Sequence, residues 1–152
     1  MKTINIKLVL LSACFALSTS VFASAKDSVL WEFSANTVMP QLGTTKFISG
    51  SNYGVTYKDK KLVVYLPYYG RSYSSADIYS VRSPLDFTSK DFTIEKKALK
   101  KGRIRYTIHI KDNIEVQTLN FIFYDNGEAD LGVVMSSRSP ISFTGSISPL
   151  QQ

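Results

Sequence analysis

The sequence predicts an all-β domain, an antiparallel meander that closes into a small barrel or a strongly curved sheet. Three observations carry this. Residues 103–111 alternate strictly, with Ile104, Tyr106, Ile108 and Ile110 on one side and Arg103, Arg105, Thr107, His109 and Lys111 on the other, the pattern of a strand with one buried and one wet face. Asp125-Asn126-Gly127 interrupts two apolar-alternating runs, and Asn-Gly readily takes the positive φ values of a two-residue type I′ hairpin turn. Seven to nine short strands of this kind, joined by polar turns without a long helical period or internal repeat, describe a meander. Barrel closure would remove exposed sheet edges and leave a mouth lined by loops.

The first 25 of the 152 residues read as an export signal. Lys2 and Lys7 give a positive start, residues 8–17 are almost continuously apolar, and Ala23-Ser24-Ala25 fits a small-x-small cleavage site. Residues 26–152 then form a single domain, exported to the periplasm or the outside of the cell. Removing two lysines from the 18 basic residues leaves 16 against 12 acids, a mild net charge of about +4. Leu11-Ser12-Ala13-Cys14 offers a second reading, a lipobox whose acylated cysteine would tether the protein to a membrane. Only residues 8–13 would then form the apolar segment, which is short for a signal region of roughly 7 to 15 residues. Because Cys14 is the one cysteine, the domain carries no internal disulfide, and a Cys-rich or His-rich metal site is excluded by count. No cofactor is expected, and a monomer is.

In chain order, residues 29–38 form a first strand, with a short helix as the alternative because Leu30, Trp31 and Phe33 are unevenly spaced. Residues 44–49 form a short strand before the turn Gly50-Ser51-Asn52. Residues 53–57 and 61–66 form a hairpin around Lys58-Asp59-Lys60. From Pro67 to Pro84 no period holds, so this stretch either is functional, as a lid or rim, or hides a short strand at residues 78–81, and the two are compatible. Residues 91–95 form the next strand, and Lys96, Lys97, Lys100 and Lys101 lead through a polar connection to Gly102. After residues 103–111, further strands follow at residues 114–124, 128–135 and 141–147.

The stretch Leu66-Pro67-Tyr68-Tyr69-Gly70-Arg71-Ser72-Tyr73 is the functional candidate. Proline has no N–H for a ladder and glycine permits unusual backbone angles, so an apolar strand leaves the sheet here carrying three tyrosines and an arginine. Tyr68, Tyr69, Arg71 and Tyr73 are therefore candidate ligand-binding residues, with an aromatic plug at one barrel end as the alternative role.

Leu66-Pro67-Tyr68-Tyr69-Gly70-Arg71 resembles the Leu-Pro-Tyr-Phe-Gly-Arg motif of the domain of unknown function 4251 family of exported Bacteroidota proteins. Residues 137–145, Ser-Arg-Ser-Pro-Ile-Ser-Phe-Thr-Gly, are similar to its closing Asn-Arg-x-x-Ile-Ser-Tyr-x-Gly pattern. The resemblance implies a lipocalin-like barrel and an exported protein, and no reaction. The chain departs from the family pattern at residues 76–80, where a tyrosine-glycine-glycine stretch is usual, and at Ser137, where asparagine is.

Three functions remain open on these residues. The first is a non-enzymatic envelope module binding a small apolar or glycan ligand, which requires a pocket beside Tyr68 and Tyr69. A structural or assembly protein acting through its surface requires a filled barrel. A hydrolase requires two converging carboxylates among Asp77, Asp86, Asp125, Glu128 and Asp130, or His109 beside a serine and a carboxylate. The lysines of residues 96–111 read as a solvated face and edge guard, or as a meeting place for an anionic lipid or glycan. No nucleic-acid-binding motif is present, and no nucleic-acid partner is expected.

Overall fold

The structure is a computed structural model that describes residues 30–73 and 82–150. Within them lie ten strands: β1 Trp31–Pro40, β2 Lys46–Phe47, β3 Gly54–Lys58, β4 Lys61–Tyr65, β5 Asp86–Ser89, β6 Phe92–Ala98, β7 Ile104–Ile110, β8 Val116–Phe123, β9 Glu128–Met135 and β10 Ile141–Pro149. All neighbouring pairs are antiparallel, in the order β5-β4-β3-β1-β10-β9-β8-β7-β6, with β2 attached to β1. First and last strands pair, so the meander curls into a barrel whose one unsealed seam lies between β5 and β6. The export signal, the candidate strand at residues 78–81 and Asp77 lie outside the described residues.

The interior is a packed core. Tyr106, Ile108 and Ile110 of β7 face inward as their alternation predicts, meeting Leu119 and Phe121 of β8 and Leu131 and Val133 of β9 in one buried cluster. Trp31 and Phe33 of β1 extend across the barrel to Phe121, with ring centroids 5.0 and 5.6 Å apart in edge-to-face geometry, a favoured arrangement for aromatic quadrupoles. The uneven apolar spacing of β1 has a physical origin. A bulge between Ala35 and Thr37 resets the alternation, so both Ala35 and Val38 point inward.

Three local expectations are corrected. Asp125-Asn126-Gly127 is a three-residue turn: Gly127 N–H donates to Tyr124 O at 3.2 Å, Tyr124 N–H to Glu128 O at 3.0 Å, and positive φ falls on Gly127 but not on Asn126. The two consecutive positive φ values of a type I′ turn fall instead on Asp59 and Lys60, at 53° and 57°. Lys96 and Lys97 belong to β6, which continues to Ala98 rather than ending in a polar connection. Of residues 44–49 only Lys46 and Phe47 form a strand, opposite Val38 and Thr37, while Ile48 N–H adds a bond to Asn36 O at 2.9 Å.

At the seam the chain turns from β5 into β6 through Lys90 and Asp91, and Asp112 from the β7–β8 turn closes the corner. Its Oδ1 accepts from Ser89 Oγ at 2.5 Å, and its Oδ2 accepts from the Lys90 and Asp91 N–H groups at 2.8 and 3.1 Å. The Ser89 bond first, and then the Lys90 amide, hold the Asp112 carboxyl below its ordinary value. A depressed carboxyl pKa contributes stability above the unfolded value of about 3.9, lost as pH falls through the lower folded value. Asp112→Ala should therefore lower stability by about 1 kcal/mol at pH 7, the lower range for an exposed cap. Thermal melts of the two proteins should converge as the pH drops below the ordinary carboxylate range.

Candidate functional site

Pro67 follows the end of β4, and residues 71–73 then lie antiparallel against residues 137–139 of the β9–β10 connection through an isolated bridge. Leu66 N–H donates to Leu85 O at 3.0 Å, and Ser83 Oγ returns a bond to Leu66 O at 2.7 Å, fixing where the chain departs. Ser139 N–H donates to Arg71 O and Tyr73 N–H to Ser137 O, each at 2.9 Å, with Ser72 bridged to Arg138 between them. The two family-like motifs therefore pair with each other.

Tyr68 locks this pairing. Its hydroxyl donates to Ser139 O at 2.8 Å and lies 3.1 Å from Ser139 Oγ, which itself accepts from Arg71 N–H at 2.9 Å. Burial raises the Tyr68 pKa, opposed by the Ser139 hydroxyl bond and by the nearby Arg138 charge, so the phenol stays protonated as a donor. Gly70 is required by the same arrangement: a Cβ there would overlap the Tyr68 hydroxyl and lie 2.6 Å from Ser139 Oγ. Arg138 packs beneath, only 7% exposed, with Nε donating to Glu115 Oε2 at 3.1 Å and its guanidinium 5.5 Å from the centre of the Tyr68 ring.

The four sequence candidates separate into different environments. Tyr68 is half-buried and structural. Tyr69 is 40% exposed beneath Lys46, whose Nζ stands 4.0 Å from the ring centre, a cation–π contact. Arg71 is exposed, and Tyr73 is 70% exposed. Tyr69 is thus no plug, because its ring leaves the core.

Beside Tyr68 opens a cleft of about 510 Å³ whose aromatic and charged lining side chains are Tyr53, Tyr65, Tyr68, Arg82, Asp86 and Arg138. The Tyr53 and Tyr65 rings lie 5.2 Å apart at 39° and form one aromatic wall. Tyr65 is opposite Asp86 in the β4–β5 pairing, which sets a carboxylate next to that wall. Sequence reading singled out Tyr68 for this site and Asp86 only as a carboxylate candidate, and it did not bring the six together, since they converge from four separate stretches of the chain. One signal was present: in residues 61–66, Leu62, Val64 and Leu66 point inward, which turns Tyr65 outward.

The residues considered for hydrolysis occupy other places. His109 is on the exposed face of β7, with Nδ1 3.3 Å from Thr118 Oγ1 and Nε2 3.9 Å from Glu95 Oε1, a cross-strand polar set containing threonine where a serine was sought. Asp130 accepts from the Tyr124 hydroxyl at 2.6 Å, which raises the Tyr124 pKa, and Glu128 accepts from Asn126 Nδ2 at 2.9 Å. Among the described residues no group of three or more His, Cys, Asp and Glu side chains is gathered as for a metal ion.

The profile of the family described as "Domain of unknown function (DUF4251)" matches residues 20–147. The fold is similar to the crystal structure of a DUF4251 family protein from Bacteroides eggerthii DSM 20697, with a TM-score of 0.54 and 17% identity over 80% of each chain. No curated protein matches the chain.

Proposed function

The chain belongs to the DUF4251 family, and from that premise we propose that it is a non-enzymatic binding module of the cell envelope, exported by its first 25 residues, that takes a glycan on its outside. The cleft beside Tyr68 carries this reading. A lipocalin-like internal ligand would need the space that Trp31, Phe33, Phe121 and Phe143 fill. The cleft, in contrast, joins a tyrosine wall to guanidinium and carboxylate groups. Apolar ligands fit such a lining poorly, because they would strip water from charged groups without replacing their hydrogen bonds. A sugar satisfies both halves: its C–H face lies on the Tyr53 and Tyr65 rings and its hydroxyls meet Asp86 and the arginines.

Calorimetric titration with maltotriose, cellotriose and tri-N-acetylchitotriose tests this. At least one should bind, and Tyr65→Ala, at a position 48% exposed, should weaken it by about tenfold while changing stability by less than about 0.5 kcal/mol. Retention of full affinity in Tyr65→Ala would place the ligand elsewhere. A second reading, assembly through the surface, draws support from Phe47 and Ile114, which stand 87% and 93% exposed. It is favoured if no trisaccharide binds and Phe47→Ser alters the sedimentation of the intact domain.

A further inference from the structure

A second depression lies on the outer face of the sheet, sharing no residue with the cleft. It encloses about 630 Å³ across β7, β8, β9, β10 and the end of β1, and Gly132 forms part of its lining. The row Met39, Ser142, Gly132, Asn120 and Thr107 crosses it in register, and the adjacent row is Thr37, Thr144, Asp130, Ile122 and Arg105. Gly132 is the feature that folding does not explain. A Cβ at Gly54 would strike the Phe33 carbonyl and one at Gly145 the Ser34 carbonyl, so close backbone approach demands those glycines. At Gly132 the backbone lies outside the positive-φ region, and a Cβ would meet only Asn120 O, at 4.0 Å. Glycine weakens a strand interior and often marks a bulge, a tight bend or a site that a ligand approaches, and both ladders run through Gly132 without a register shift, so no bulge requires it.

We infer that this groove is a second binding site, for an oligosaccharide carrying a carboxylate. Arg105 supplies the anionic subsite. It is exposed, it faces Lys97 directly across the β6–β7 pair, and among the described residues no carboxylate is ion-paired with it. Like charges opposed in this way destabilise a sheet, and a bound carboxylate relieves that while receiving the planar guanidinium fork. Two strand spacings away, about 10 Å, Asp130 keeps Oδ1 for a sugar hydroxyl, since the Tyr124 hydroxyl occupies Oδ2. Asn120 and Ser142 flank Gly132 with further donors and acceptors, and Ile122 offers an apolar surface to a C–H face. A neighbouring depression of about 570 Å³ shares Asp130 and Thr144, so the groove continues along the sheet and suits a chain of sugars rather than one.

Titration of the whole domain with trigalacturonic acid, and with maltotriose as the neutral control, tests the site by calorimetry. The acid should bind. Gly132→Val, which fills the floor and suits a strand, should keep or raise the melting temperature and weaken binding by at least about tenfold. Arg105→Gln should weaken it by about tenfold and remove its dependence on salt. Tyr65→Ala should leave it unchanged, which separates this groove from the cleft. Full affinity in Gly132→Val, equal binding of maltotriose at this groove, or no binding of the acid up to about 10 mM would each overturn the inference.

Discussion

Phe121→Ala should cost the domain about 3–5 kcal/mol, the usual penalty for deleting a fully buried aromatic ring. Phe121 is completely enclosed, with Trp31, Phe33 and Phe123 ring centroids at 5.0, 5.6 and 5.7 Å. Removing it leaves a void at the centre of the barrel that its neighbours, bound into β1 and β8, cannot collapse to fill. Urea denaturation followed through Trp31 fluorescence gives the number directly. A loss below about 1 kcal/mol would mean that the interior tolerates empty space, as a ligand cavity does, and would contradict a packed core.

Tyr68→Ala should cost about 3 kcal/mol, and Tyr68→Phe about 1–2 kcal/mol, because the phenylalanine keeps the ring and leaves the Ser139 carbonyl without its donor. Gly70→Ala should resemble Tyr68→Phe, since the added methyl displaces the same hydroxyl. Arg71→Ala and Tyr73→Ala should stay within about 0.5 kcal/mol of the parent, as exposed side chains do. Chemical denaturation of the five variants checks the ordering. If Tyr68→Phe and Gly70→Ala were both silent, the Tyr68 hydroxyl would not be what joins residues 66–73 to residues 137–139.

Where one face is dry and the other wet, period two writes the strand into the chain, and residues 103–111 are legible for that reason. β6 was legible only at its start because beyond Phe92 every side chain is exposed, which removes the alternation that would have extended it to Ala98. β5 escaped notice because it has four residues and only Ser89 is buried. Asp112 seals the corner from a turn 21 to 23 residues away, a contact no local pattern encodes. At the site, Pro67 and Gly70 announced a built loop. The division of labour among neighbouring tyrosines was hidden, since it depends on Ser139 drawing Tyr68 inward and Lys46 covering Tyr69.

The most direct test of external glycan binding is a ¹H–¹⁵N NMR titration of the domain with whichever trisaccharide binds in calorimetry. The filled barrel and open cleft predict shifts concentrated at Tyr53, Tyr65, Asp86 and the Arg82 and Arg138 side chains, with the Trp31 indole signal unmoved. Shifts centred on Trp31, Phe33 and Phe121 would place the ligand inside the barrel and contradict the account.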